Sequence, residues 1–494
     1  MSGLLGRILA QAERAPEASA LRVAGSETPL LTYAELVAQV ERLSATLGEA
    51  GLEQGELAAL LLPSGPELLI AFLAVLSRGA LALPLEEELT RSELSARLEV
   101  AEPALAIGRA DLLAREALLG LPSLRAAVLL GEEEPDDLGL PTHRPGEARA
   151  TLSEPADEAE VSCHFTYKGL GYPLGAVHRY RDYALAIDAL DEAFPFGAGD
   201  RALAALPLQP IYGLITSGLG PLTVGGELVF LGDASPRRLP ALLAEEQIRL
   251  AALVPPLVRV LTGAARRAGD ALAQLHPGLI LTSGGSYLPP EAAQALSEAT
   301  QRPVLQGYGS TEALTVTSNT PAHAVPGSLG RPLGPVEVEV RDASGAPTAP
   351  GVAGEVFVRG PQVMSGYLRR PRETARFLRD GWLRTGDLGW LDAEGALHFA
   401  GRREAFTKVN ARMVDLLEVE QALSAHPAVT RACATTRSGR KGERELRVAV
   451  TLTGNASVRL GELISLAKER LAPHKVPKRI KVYRAVYQGF QAEF

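Results

Sequence analysis

The stretch GYGSTEALTVTSN, Gly307 to Asn319, sets two glycines around a tyrosine and then delivers Ser310, Thr311 and Glu312 in succession. Within six positions it offers an aromatic face, backbone that can approach a ligand closely, hydroxyl donors and a carboxylate. Taken alone, Tyr308 suits a core and Glu312 a solvated helix surface. The rest of the chain bears on that choice. Upstream, LILTSGGSYLP (Leu279 to Pro289) reads as a buried strand ending in small residues at a helix start, and downstream stand RTGDLG (Arg384 to Gly389) and AGR (Ala400 to Arg402). Further upstream, FTYKGLGYPLGAV (Phe165 to Val177) carries Gly169, Gly171 and Gly175 between the strand-like Glu160 to His164 and a helical run beginning near Tyr183. Glycine density after a strand suggests a loop whose amides approach an anion.

In this order the motifs resemble the adenylate-forming superfamily of acyl-CoA ligases, carrier-protein-loading adenylation domains and luciferases, over nearly the whole chain. Gly307 to Asn319, with its Ser-Asn pair, is similar to the Gly-Ser-Thr-Glu segment of benzoate and anthranilate CoA ligases. Leu279 to Pro289 resembles the Ser-Ala-Gly-Glu-x-Leu-Pro segment of aryl-CoA ligases. The resemblance implies an α/β fold: a large N-terminal domain, layered α/β with a small β-barrel, and a small mobile α+β C-terminal domain. It implies a nucleotide site in which Tyr308 offers a face for adenine beside Gly309 and Ser310. Thr311 donates to the α-phosphate, and Glu312 is a hard oxygen ligand for Mg²⁺. Asp387 accepts from both ribose hydroxyls, although Thr-Gly-Asp also makes a good turn by itself, and Arg402 meets ribose or phosphate from the domain junction. Glu404 takes the hinge position, and Lys408, Asn410 and Ala411 border a pantetheine tunnel where a glycine pair is usual. The acyl pocket is expected at Tyr212, Gly213, Gly285, Tyr287, Gly307 and Leu314. Its Tyr212, Tyr287 and Leu314 suit a flat ring, and core packing equally.

The departures from the family pattern are as informative. The family loop reads Thr-Ser-Gly-Thr-Thr-Gly-x-Pro-Lys-Gly and holds the β and γ phosphates of ATP. Here Thr166, Gly171, Pro173 and Gly175 fit it, whereas Tyr167, Lys168, Gly169, Leu170 and Leu174 do not. Phosphate binding depends on charge-assisted donors, so this loop is expected to hold pyrophosphate badly. Gln209 and Pro210 replace the Phe-His pair that borders the acyl pocket in relatives, or form a surface turn. APHKVPKRIKVY (Ala472 to Tyr483) matches the approach to the family's catalytic lysine. The expected Pro-x-x-x-x-Gly-Lys does not follow it, and Glu493 stands near that lysine's place.

Both departures bear on the step that joins an acid to ATP, whereas Tyr308, Thr311, Glu312, Asp387 and Arg402 serve AMP binding. The expected function is transfer of an acyl group, aryl in class such as anthraniloyl or benzoyl, from coenzyme A to the phosphopantetheine thiol of an acyl carrier protein. AMP would serve as a reusable cofactor through an acyl-AMP, or one thiol would attack the thioester directly in a pre-organised pocket. Two alternatives stay open. One is an ATP- and Mg²⁺-dependent aryl-acid CoA ligase with Lys168 replacing the lost cation; the other is a non-catalytic protein that binds a ligand or partner.

The 494 residues allow one large domain, expected at 1–401, and a small one at 402–494. Composition is that of an ordinary globular protein, 46% hydrophobic and 22% charged. The net charge of −8 gives no reason to expect nucleic acid. Residues 401–494 carry 18 Lys and Arg against 9 Asp and Glu, a net of +9, which leaves −17 on the first 400. A basic C-terminal domain can steer the phosphates of coenzyme A or an acidic carrier protein, or be a basic cap with no particular partner. Cys163 and Cys433, far apart in the chain, suggest reduced thiols. Arg7, Glu13 and Arg14 interrupt the first apolar run, and Leu57 to Leu62 and Leu69 to Leu76 are too short to span a bilayer. A cytoplasmic location without membrane contact is expected. Leu31 to Leu47 reads as a helix opened by a Thr32–Glu35 capping box, Leu57 to Pro63 as a buried strand, Ser64 as the start of the next helix, and Pro66 to Leu85 as helix, glycine turn and strand. That alternation argues for parallel α/β layers. Glu132 to Asp157 reads as a surface connection, and Pro335 to Gly360 as a small barrel-like piece.

Overall fold

The computed structural model describes residues 3–484, apart from 88, 90, 115–117, 119, 132–137, 167, 169–171, 233, 234, 268, 403–405, 410, 411, 439–443, 453–455 and 472. Expectations for Gly169, Gly171, Glu404, Asn410, Ala411 and Glu493 therefore lie outside the described residues. Lys408 contributes only its backbone, in the strand Phe406–Val409.

Strand Leu57–Leu61 shows how the large domain is layered. Its residues are all buried, yet Ala58 and Leu60 join one hydrophobic cluster while Leu57, Ala59 and Leu61 join another. Side chains alternate across a strand, so a sheet buried on both faces needs this unbroken apolar run. The strand is central to a sheet of eight among the described residues, and a second sheet has nine. The interiors of both sheets are parallel, and their antiparallel strands lie towards the margins. Between the sheets lie the helices Tyr33–Glu49, Pro66–Ser77 and Tyr180–Ala193, whose apolar side chains share one cluster with the facing sides of both sheets. Leu68 to Ser77 are all buried, and each large side chain among them contributes roughly 1.5–3 kcal/mol. The capping box is present: the Glu35 carboxylate accepts from the Thr32 amide at 2.8 Å, and Thr32 Oγ1 accepts from the Glu35 amide at 3.3 Å.

Three local expectations change. The strands Glu160–Thr166 and Leu174–Arg179 pair antiparallel on either side of the glycine-rich residues, and the helix after them opens at Tyr180 rather than near Tyr183. Gly175 is a buried position of that hairpin, and a Cβ there would lie 2.6 Å from Cys163 Sγ, so sheet packing accounts for this glycine. Ser64 does not open the helix Pro66–Ser77. Its hydroxyl donates to Gln209 Oε1 at 2.5 Å and accepts from the Leu208 amide at 2.9 Å, while Gln209 Nε2 donates to the Leu62 carbonyl. Gln209 is thus a buried tie between segments rather than part of a surface turn.

The strands Glu337–Arg341, Gly354–Arg359, Leu378–Arg379, Trp382–Leu391 and Leu397–Arg402 form a five-stranded antiparallel sheet, which takes in the Pro335 to Gly360 stretch expected to be barrel-like. Its core takes in Leu174 and Ala176 of the hairpin and Ala313 and Val316 near Glu312, which brings the glycine stretch, the Gly-Ser-Thr-Glu turn and the Thr-Gly-Asp strand together. Beyond it, the strands Val429–Ser438, Arg444–Leu452 and Arg479–Arg484 pack with the helices Leu416–Ser424 and Leu460–Arg470 around a separate small core. Among the described residues no helix is long and apolar enough to cross a membrane.

Candidate functional site

A cavity of about 240 Å³ opens where these segments meet. Its floor is the strand Val304–Ser310, which turns through Thr311 to Ala313 into the strand Leu314–Ser318. The turn is tight: Leu314 has φ +55°, and a Cβ on Gly309 would lie 2.2 Å from the Leu314 carbonyl oxygen. Only glycine fits at 309, and the tightness pins Ser310, Thr311 and Glu312 along the cavity wall. His178 Nε2 donates to the Thr311 carbonyl at 2.7 Å and fixes the turn from behind. Nearby His164 bonds the Tyr183 hydroxyl at 2.9 Å. Burial, and then the facing His178, push its imidazole down to about 3.

The opposite wall comes from the strand Trp382–Leu391. Asp387 Oδ2 accepts from the Tyr308 hydroxyl at 2.6 Å, and Oδ1 from Arg402 Nε at 3.1 Å. Burial first, and then the Asp387 carboxylate, push the Tyr308 phenol well above its ordinary range. Arg402 is opposite Asp387 in the strand register but leaves 66% of its side chain exposed, within reach of a ligand at the cavity mouth.

Glu312 and Lys168 form the centre of the site. Their side chains are only 1% and 9% exposed, and Lys168 Nζ lies 2.8 Å from Glu312 Oε1. The same ammonium donates to the Thr385 carbonyl at 2.9 Å, and the Tyr367 hydroxyl donates to Glu312 Oε1 at 2.8 Å. The Met364 amide holds the Glu312 carbonyl. Burial pushes the Glu312 carboxyl up, but the Lys168 charge, its hydrogen bond and that from Tyr367 outweigh burial and hold it below the ordinary glutamate range. The lysine that departs from the family pattern thus ties the glycine hairpin, the Gly-Ser-Thr-Glu turn and the Thr-Gly-Asp strand to one another.

Of the expected nucleotide residues, Tyr308, Gly309, Ser310, Thr311, Glu312, Asp387 and Arg402 all line this cavity, together with Thr166 and Lys168. Of the expected acyl pocket, Tyr212, Gly285, Gly307 and Leu314 line it. Gly213 does not, because its missing side chain leaves room for the Pro207 carbonyl, 1.9 Å from where a Cβ would be. Tyr287 stacks on Phe399 instead, with ring centroids 5.4 Å apart. Sequence reasoning missed Tyr367 and Thr385. It also missed the apolar end of the cavity, formed by Leu190 and Phe194 at one helix end and by Ile211, Ile215 and Thr216 around the π-helical turn Ile215–Leu219. Helical periodicity in Asp182 to Ala193 was the only signal for the first pair.

The wall is suited to a polar ligand with an apolar tail. Ser283 Oγ and Ser310 Oγ line the cavity, are buried, and have no hydrogen-bond partner among the described residues. With the Asp387 carboxylate and Arg402 they fit a nucleoside monophosphate, ribose at Asp387 and phosphate at the turn. A divalent cation fits less well. Glu312 Oε1, the expected ligand, already faces an ammonium and a hydroxyl donor, and no group of three His, Cys, Asp or Glu among the described residues could hold a metal.

A two-sheet α/β domain with a nucleotide-sized cavity at its margin and a small C-terminal unit defines an adenylate-forming fold. The chain belongs to the AMP-binding enzyme family: the family model matches residues 8–368, and the model of the AMP-binding enzyme C-terminal domain matches residues 418–486. It is 27% identical over 493 residues to oxalate–CoA ligase of Arabidopsis thaliana, covering 97% of this chain and 94% of that one. It is 32% identical over 477 residues to pyochelin synthase PchD of Pseudomonas aeruginosa, covering 93% and 85%. Its fold matches the crystal structure of the anthranilate CoA ligase AuaEII in complex with anthranoyl-AMP, with a TM-score of 0.78, 22% identity, and coverage of 98% of this chain and 93% of that one. The chain is an enzyme of the acyl-CoA ligase superfamily.

Proposed function

We propose that this enzyme moves an acyl group, aryl in class, from coenzyme A to the phosphopantetheine thiol of an acyl carrier protein, and that ATP-dependent adenylation is impaired or lost. The observation that carries the reading is the engagement of Lys168. The cation left in the glycine stretch is held inward, between Glu312 and the Thr385 carbonyl, and is not free to follow the outer phosphates of ATP. The remaining chemistry needs no ATP, because one thioester replaces another. The carrier thiolate attacks the acyl carbonyl, the tetrahedral adduct expels coenzyme A thiolate, and the proton lost by the incoming thiol is regained by the departing one. In this step the cavity's own groups orient and shield: Leu190, Phe194 and Ile215 exclude water from the acyl end, and Ser283 and Ser310 offer free hydroxyls to the polar end. AMP, when bound, would supply a phosphate oxygen able to accept the acyl group; Tyr308, Thr311, Asp387 and Arg402 would hold it. The basic charge of residues 401–494 supports an acidic carrier as the second substrate.

The test supplies benzoyl-CoA or anthraniloyl-CoA and a holo carrier protein without ATP, and reads the mass of the carrier. Acylated carrier is the expected result. No transfer, together with acyl-CoA formed from free acid and ATP, overturns the proposal. Added AMP separates the direct route from the AMP-dependent one. The names of the relatives favour a second reading, an ATP-dependent aryl-acid CoA ligase: the oxalate–CoA ligase supports CoA ligation, and a feruloyl-CoA synthase, 31% identical, supports an aromatic acid. Exchange of labelled pyrophosphate into ATP in the presence of an aryl acid discriminates for it.

A further inference from the structure

Lys168 does more than leave the outer phosphates without a cation. Its ammonium lies 2.8 Å from Oε1 of Glu312, the carboxylate that the family resemblance assigns to a divalent ion. An octahedral Mg²⁺ requires an oxygen at about 2.0–2.1 Å and further oxygens or waters around it. Here the neighbours of that oxygen are donors, the ammonium and the Tyr367 hydroxyl, and neither can ligate a cation. The position is built rather than incidental. Lys168 is 9% exposed, its ammonium is anchored on the Thr385 carbonyl at 2.9 Å, and it lies 5.9 Å above the Phe377 ring. An ammonium has three protons, and Glu312 and Thr385 account for two, so one remains for a ligand oxygen at the cavity wall it shares with Ser310 and Thr311.

We propose that the Lys168 ammonium is a resident counter-charge that replaces the divalent cation at Glu312, so that the cavity takes a nucleoside monophosphate without any metal. This rests on the reading of the cavity as a site for AMP. The charges agree with it: Glu312 is neutralised by Lys168 and Asp387 by Arg402, and the two free hydroxyls and the third ammonium proton face an incoming phosphate. A single fixed cation suits one phosphate group, whereas a triphosphate adds charges that no further fixed cation among the described cavity-lining residues neutralises, Arg402 being paired with Asp387.

The test is the affinity of the full-length protein for AMP, measured by titration calorimetry in EDTA and in excess Mg²⁺, on the wild type, K168A and K168R. The wild type is expected to bind equally in both, within about twofold, and K168R to behave like it. K168A, with Glu312 released, is expected to bind AMP about fivefold or more tightly in Mg²⁺ than in EDTA. It is also expected to quench the resonance of free Mn²⁺ in the presence of AMP, which the wild type leaves unchanged. A wild type that loses more than about fivefold in affinity in EDTA overturns the inference; so does a wild type that binds no AMP in either buffer. The wild-type comparison stands even if K168A does not fold. Metal-dependent AMP binding alongside intact ATP-free acyl transfer overturns this inference and leaves the transferase reading standing. Metal-free AMP binding without transfer does the reverse.

Discussion

Replacing Lys168 by Met keeps the length of the side chain but strands the Glu312 carboxylate, which is 1% exposed and, among the described residues, retains the Tyr367 hydroxyl as its one side-chain donor. At pH 7 the stranded carboxyl can escape by taking up a proton. That costs about 1.4 kcal/mol for each pH unit above its ordinary value of 4.5, roughly 3 kcal/mol in all. This matches the lower end of the ~3–5 kcal/mol lost when one partner of a buried pair is removed. The sign of the pH dependence follows. In the wild type the carboxyl is held below its unfolded value, so its contribution is present above pH 4.5 and is lost as pH falls through the lowered native value. In K168M the native carboxyl lies above its unfolded value, so the penalty is absent below pH 4.5 and grows as pH rises towards the raised value. The gap in melting temperature between the two proteins should therefore widen by several degrees from pH 5 to pH 8. The double variant K168M/E312Q, with no charge left to strand, should recover at least half of that separation. Thermal unfolding followed by fluorescence from pH 5 to pH 8 reads both. A gap of the same size at every pH, or losses in the double variant that simply add, would refute the ion pair as the source.

Three further outcomes are expected. Gly175→Ala places a Cβ 2.6 Å from Cys163 Sγ and should cost about 1–3 kcal/mol, and Cys163→Ala in the same chain should relieve it; equal melting temperatures for the wild type and Gly175→Ala would count against the packing argument. Asp387→Ala removes the acceptor of both Tyr308 and Arg402 and should weaken AMP binding about tenfold or more in calorimetry, which an unchanged affinity would contradict. His164 is neutral in the folded chain down to about 3, so the unfolded chain binds the extra proton below pH 6.5, and stability falls on acidification by about 1.4 kcal/mol per unit. His164→Gln should lower that slope by about one proton, read from urea midpoints between pH 4 and 6.5, and an identical slope would remove His164 from the account.

What was legible in the sequence followed from local rules. The capping box at Thr32 and Glu35, the all-buried run Leu57–Leu61 and the helix, glycine and strand of Pro66 to Leu85 each depend on residues close in the chain, and each is present. The residues that line the cavity from the Gly-Ser-Thr-Glu turn and the Thr-Gly-Asp strand were legible because each lies in a short, recognisable run. The partners of those residues were not. Tyr367 reaches Glu312 only because the strand Gly366–Tyr367 pairs with Leu174–Arg179, a register set by a contact across the fold. Lys168 looked misplaced for the same reason: its distance from Glu312 is a tertiary fact, and the spacing of the motif gave no sign that it would point at that carboxylate. For Tyr287 the sequence left a pocket wall and packing equally open, and the contact with Phe399, distant in the chain, places it outside the cavity lining.

An ammonium and a magnesium ion are not equivalent tools, and the difference bears on which half of the family chemistry this site can support. Activating an acid with ATP drives off pyrophosphate, and the developing charge there calls for a cation that can move with it and change its ligands. Lys168 cannot do so without leaving an acceptor pair at 2.8 and 2.9 Å and uncovering the buried Glu312 carboxylate. Thioester exchange develops charge on a single oxygen and returns it within one step. In the proposed transfer, one fixed donor is enough to stabilise that oxygen, because it is already oriented when the charge appears. On the proposed reading, the same ion pair obstructs the first reaction and leaves the second unhindered.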